Sequence, residues 1–233
     1  NAGPSLPLTT VGNFAIDRHE VTVARFRRFM IAGRPAVPGG LVLYPNGTTL
    51  RWPGPTRDPA TGPRFTWTPT PGSMEALPIT GIDWNTAQAF CVWDGGRLPT
   101  SSEWEFAARG NDLRPFPWGT APASGRVCPS NRSVPCAVND PLSASGLSPF
   151  RLWHMSGNVW EFVADAFAFY SDSRCWGPFT PRTNPLCTAT SDIEYRGGSY
   201  FDTNESILRL SARDRRPITA VEPNLGFRCA RTR

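Results

Sequence analysis

The chain has 233 residues and a formal net charge of +5, and all 24 of its Lys-or-Arg positions are Arg. That excludes Schiff-base and P-loop lysine chemistry, and no apolar run approaches the ~18 residues of a membrane span. The Arg residues are scattered apart from Arg25/Arg27/Arg28 and Arg213/Arg215/Arg216, not gathered as on a nucleic-acid surface, so no nucleic-acid partner is expected.

The length suits a substantial core, and the chain reads as one domain over residues 1–233. It opens at Asn1 without a signal-peptide pattern, as expected of a processed or trimmed N-terminus. Residues 14–33 read as a strand followed by a helix, with Thr22 as N-cap, Phe26, Phe29 and Met30 at helical spacing, and Gly33 as the stop. Residues 34–78, rich in Pro and Gly, read as a long irregular insertion pinned to the body by Trp52, Phe65 and Trp67. DWNTAQAFCVWDGG, 83–96, reads as a second helix stopped at Gly95. PTSSEWEFAARG, 99–110, reads as a third, in which Thr100 and Glu103 form a capping box and Gly110 ends the helix. Beyond it, short apolar pieces separated by Gly, Pro, Asn and Ser predict short strands with long connections. The class is α+β, rich in loops.

The 6 Cys have no CxxC spacing, and there are only 2 His. Zinc sites need tighter spacing, so three disulfides in an oxidising compartment are the better reading. Cys128 with Cys136 and Cys175 with Cys187 fit local staples in Pro-rich sequence, leaving Cys91 for Cys229. His19 and His154 are too few for a multi-His metal centre and read better as structural residues. GxSxG, HExxH and Gly-rich phosphate loops are absent. In SGNVWEF, 156–162, Gly157 and Asn158 favour a turn beside Glu161. This is a mixture of oxygen donors suited to a hard cation, or else a turn preceding a buried Trp.

The segments PITGIDWNTAQAFCVWDGGRLPTSSEWEFAARG, PWG, SGNVWEF, RGGSY and NLGFRCAR follow one another in order, after IDRHEVTVARFRRF. Together they resemble the formylglycine-generating enzyme family, the sulfatase-modifying factors, over about residues 14–231. The resemblance implies a variant of the C-type lectin-like fold and a Cys91–Cys229 bridge. It also implies structural Ca²⁺ held by the side chains of Asn158 and Glu161 and the carbonyl of Val159. A second calcium site would fall in 130–140, with Asn131 and Asp140 as candidates. In the family, two cysteines lie three and eight residues beyond the Ser of GGSY, where they bind copper(I) and engage the substrate cysteine. Here those positions are Asp202 and Ile207. Cu(I) selects thiolates, so no copper is expected and no formylglycine formation by that route.

The expected function is therefore a calcium-stabilised binding or structural module. Its cleft would be floored by Ser199, Tyr200, Asp202 and Asn204, walled by the loop 41–72, and would take a peptide, glycan or protein partner. The alternatives are an oxidase-like enzyme of divergent chemistry, using Asp202, Glu205 or Arg209, and a diversified ligand-binding variable protein. The disulfides predict an extracellular, periplasmic or cell-surface location, and the Arg-rich composition suggests a bacterial source.

Overall fold

A computed structural model describes residues 9–35, 41–51, 54–55, 57–130, 132–176 and 181–233; Trp52 and Asn131 lie outside them. In chain order the elements are β1 (Thr9–Thr10), β2 (Phe14–Ile16), α1 (Val23–Ile31), β3 (Leu41–Leu43), β4 (Thr49–Arg51), α2 (Trp84–Trp93) and α3 (Ser101–Arg109). There follow a 3-10 helix (Pro141–Gly146), β5 (Trp160–Ala166), β6 (Arg182–Thr183), β7 (Asp192–Arg196), β8 (Arg213–Pro217), β9 (Leu225–Gly226) and β10 (Ala230–Thr232).

The helices start where their caps dictate. Thr22 Oγ1 accepts from Arg25 N–H, and the Asp83 carboxylate accepts from Thr86 N–H. The capping box of α3 is complete: Thr100 Oγ1 accepts from Glu103 N–H at 3.2 Å, and Glu103 accepts from Thr100 N–H at 2.9 Å. Gly33, Gly95 and Gly110 follow the three helices with positive φ. Every residue of α2 from Trp84 to Cys91 is buried, so this helix forms the middle of the molecule and not a surface layer. Phe90 stacks on Phe26 and meets Phe29 and Phe227 edge-on, with ring centroids 5.5–5.7 Å apart.

The main sheet has the order β8-β7-β5-β9. β5, buried throughout, runs antiparallel to β7, with Glu161 opposite Arg196 and Phe162 opposite Tyr195. β9 joins it in parallel, with Trp160 opposite Leu225. β7 pairs antiparallel with β8, and Tyr195 faces Asp214. A separate antiparallel pair, β2 with β10, ties the two ends of the chain together, and β1 lies parallel to β6.

Three disulfides close as expected, Cys91–Cys229, Cys128–Cys136 and Cys175–Cys187, and no cysteine is free. The insertion is less irregular than its composition predicts: β3 and β4 form an antiparallel hairpin, turned by Asn46 and Gly47. Trp67 pins the insertion by lying edge-on to Phe26 and under the Arg27 guanidinium at 4.4 Å. Half-buried Phe65 packs beside Gly81, where an added Cβ would lie 2.7 Å from its ring.

Candidate functional site

Alternation along paired strands gives the main sheet two chemically different faces. One carries Trp160 from β5, Tyr195 from β7, Asp214 and Arg216 from β8. The other carries Glu161, Glu194 and Arg196, which meet α3 and Arg228.

Immediately after β7 the chain turns at Gly197 and Gly198, both with positive φ. A Cβ on Gly198 would lie 2.8 Å from Leu208 Cδ2 and 3.1 Å from the Ile207 carbonyl. Glycine is therefore required for the segment 199–208 to fold back against the strand end. The turn beyond is fastened by Asp202, whose Oδ2 accepts from both the N–H and the hydroxyl of Ser199 at 2.8 Å. Asn224, just before β9, donates to the same Ser199 hydroxyl at 3.0 Å.

Asp202 and Ile207 come to line a cavity of about 310 Å³ over the first face of the sheet, together with Trp160, Tyr195, Asp214 and Glu222. The Trp160 and Tyr195 rings meet edge-on at 4.9 Å. Burial, reinforced by the Asp214 carboxylate, pushes the Tyr195 phenol well above its ordinary range. Arg216 lies 3.7 Å from Glu222. Arg213 also borders the cavity, but its guanidinium pairs with Glu194 at 2.8 Å and covers the Tyr170 ring at 3.8 Å.

The remaining residues of the expected cleft have other duties. Ser199 supports Asp202. Tyr200 is fully buried with Cys128 and Cys136, and burial raises its phenol to about 12. Asn204 is exposed and accepts from Ser206 N–H within its own turn. Glu205 accepts from Ala123 N–H at 2.6 Å. Trp160, Tyr195, Asp214, Arg216 and Glu222 are among the additional residues at the cavity; the alternation within WEF and DIEYR is the signal that places the aromatic pair on a shared face.

The second face decides whether the expected calcium ligands fit. Both Glu161 oxygens bind the buried Arg228 guanidinium, at 2.6 and 2.7 Å, and one also accepts from Trp104 Nε1–H at 2.8 Å. Asn158 Oδ1 accepts from Cys136 N–H, and its amide donates to Glu20 at 2.8 Å. Val159 is wholly buried between them in sequence. Calcium takes about 6–8 oxygens at ~2.3–2.6 Å, whereas these side-chain oxygens already have donors and a fixed cation sits against the carboxylate. The set Asn158, Val159 and Glu161 does not fit a divalent ion in this arrangement. Among the described residues no group of three or more His, Cys, Asp or Glu is placed to hold a metal. Asp140 caps the 3-10 helix by accepting from Leu142 N–H.

His154, buried with φ 54°, and His19, stacked on Trp153, also lie by Arg228 and away from the cavity. Burial first, then Arg228, lowers each to about 4. Both are neutral near pH 7 and are remote from any acid–base role at the cavity.

Comparison with known proteins agrees with this architecture. The chain is 34% identical over 169 residues to the formylglycine-generating enzyme of Streptomyces coelicolor, a match covering 66% of this chain and 52% of that protein. It is 29% identical over 267 residues to the formylglycine-generating enzyme of Mycobacterium tuberculosis, covering 94% of this chain and 88% of that one. It is also 31% identical over 169 residues to the inactive C-alpha-formylglycine-generating enzyme 2 of Mus musculus, covering 66% and 49%. The chain thus spans about half the length of the first and third of these relatives. Among solved structures, PvdO from Pseudomonas aeruginosa superposes with a TM-score of 0.65 at 18% identity, covering 94% of this chain and 80% of that one. Treponema denticola variable protein 1 gives 0.62 at 17%, covering 95% and 85%; at these identities the likeness shows the fold. The family described as sulfatase-modifying factor enzyme 1-like domain matches residues 4–233. With the cysteine bridge, the two-faced sheet and the GGSY turn in place, the chain belongs to that family.

Proposed function

We propose that this chain is a ligand-binding domain that uses the cavity beside Asp202 and does not form formylglycine. One observation carries the reading. The two positions that resemblance assigns to copper-binding thiols are a carboxylate and an aliphatic side chain, Asp202 and Ile207, and both line the cavity, while all cysteines are held in disulfides. Thiolate ligation of Cu(I) has no donor here. The Asp202 carboxylate is fixed by Ser199, which favours a stable binding wall over a mobile catalytic group. Three disulfides fit an extracytoplasmic site of action.

The test is to incubate the folded protein with Cu(I), oxygen and a cysteine-containing peptide, then measure retained copper and peptide aldehyde. The expected result is neither stoichiometric copper nor aldehyde. Aldehyde formation would overturn the proposal.

A further inference from the structure

We propose that the cavity takes a primary ammonium group carried on an apolar stem, as in a lysine side chain of a peptide or protein partner. The inference rests on the binding reading above and specifies its ligand class.

Size comes first. A cavity of about 310 Å³ lies at the small end of ligand sites, ~300–1,000 Å³, and suits one side chain better than a folded surface. Its wall is apolar on the sheet side, where Trp160 and Tyr195 meet at right angles beside Ile207 and Leu225. A hydrocarbon stem gains by covering these groups, and the Tyr195 ring already holds one cation over its face, the Arg216 guanidinium at 5.8 Å.

Charge then selects the sign. Asp202, Asp214 and Glu222 border the cavity with Arg213 and Arg216. Arg213 is engaged by Glu194 at 2.8 Å, and Arg216 faces Glu222 at 3.7 Å. That leaves Asp202 and Asp214. Their partners are neutral donors: the N–H and hydroxyl of Ser199 for Asp202, and the Arg215 N–H and the Tyr195 phenol for Asp214. Such donors orient a carboxylate without cancelling its charge. The cavity is thus acidic on a chain whose net charge is +5, a local reversal that concentrates cations at this mouth. A neutral ligand would desolvate two carboxylates without pairing them, and an anion would meet like charge. An ammonium supplies donors to both.

The experiment titrates Nα-acetyl-lysine N-methylamide into the intact chain and follows the Trp160 indole and Ile207 methyl resonances by NMR. The norleucine and glutamate analogues serve as neutral and anionic controls. The lysine probe is expected to shift both signals saturably, with the neutral probe at least about tenfold weaker. Asp214→Asn, on the exposed edge strand, should weaken the lysine probe by about tenfold with no change in melting temperature, and Asp202→Asn, which also loosens the Ser199 turn, should weaken it by at least as much. Equal or tighter binding of either control, indifference to Asp214→Asn, or no shift with the lysine probe at millimolar concentration would overturn the proposal. None of these outcomes alters the copper and aldehyde result, which judges the binding reading separately.

Discussion

Cys91–Cys229 should be the most consequential of the three bridges, and the reason is topological. It joins α2 to the segment between β9 and β10 across a sequence separation of 138 residues, whereas Cys128–Cys136 and Cys175–Cys187 span 8 and 12. On the chain-entropy model, closing the long loop restrains the unfolded state by about 5 kcal/mol, against about 3 kcal/mol for each short loop. All three bridges are buried, but whereas the other two pairs sit in small satellite clusters, Cys91 and Cys229 lie in the main core beside Phe90 and Phe227. Replacing both with Ala therefore adds a packing loss to the entropic one. Domain stabilities of ~5–15 kcal/mol leave little after that deletion. The assay is urea denaturation of three double Cys→Ala variants, followed by circular dichroism, with midpoint and slope fitted separately. The long-range variant should be unfolded or nearly so in buffer, while the other two retain cooperative transitions. If it proves no less stable than either short-loop variant, the reasoning from loop length and burial fails.

What the sequence disclosed depended on how local the determining contacts are. The α3 cap was legible because its donors and acceptors lie within four positions, Thr100 to Glu103. The β3–β4 hairpin was legible in principle through Asn46-Gly47, a strong hairpin turn signal, but the surrounding Pro and Gly masked it. At SGNVWEF the residue types suit calcium, yet the decisive partners are distant: Glu20 lies 138 residues from Asn158, and Arg228 lies 67 from Glu161. No spacing rule reveals that a carboxylate already has a guanidinium. The cavity divides in the same way. Asp202 and Ile207 were reachable by counting from Ser199 within a familiar motif. Asp214 and Tyr195 become neighbours only through the β7–β8 register, which short polar strands such as RDRRP specify weakly from sequence.

Three further outcomes follow from the polar network and the turn. Glu161→Gln removes the one carboxylate that pairs directly with buried Arg228, leaving Glu20 and Asp17 as its acidic neighbours, and should cost about 3–5 kcal/mol, whereas a chelator should leave the wild-type melting temperature unchanged; a fall reversed by Ca²⁺ would restore the cation site. Gly198→Ala places a side chain at φ 72°, costing about 1–2 kcal/mol in backbone strain alone, and should shift the Ile207 resonances as Leu208 gives way. The pH dependence of stability should identify His154. Its folded-state value near 4 lies below the ordinary 6.5, so between these limits the unfolded chain holds a proton that the folded chain refuses. Stability from this residue is therefore present above 6.5 and lost as the pH falls toward 4, by about 3 kcal/mol in all. Glu20 and Asp165, each raised by burial to about 7, act oppositely: their contribution is lost as the pH rises toward 7, which flattens the wild-type curve. The discriminating quantity is the difference from His154→Asn, a residue that tolerates the positive φ of 54° here. That difference should shift in favour of wild type from pH 4 to 6.5. A difference that stays level across this interval would mean that His154 is not held neutral by its burial beside Arg228.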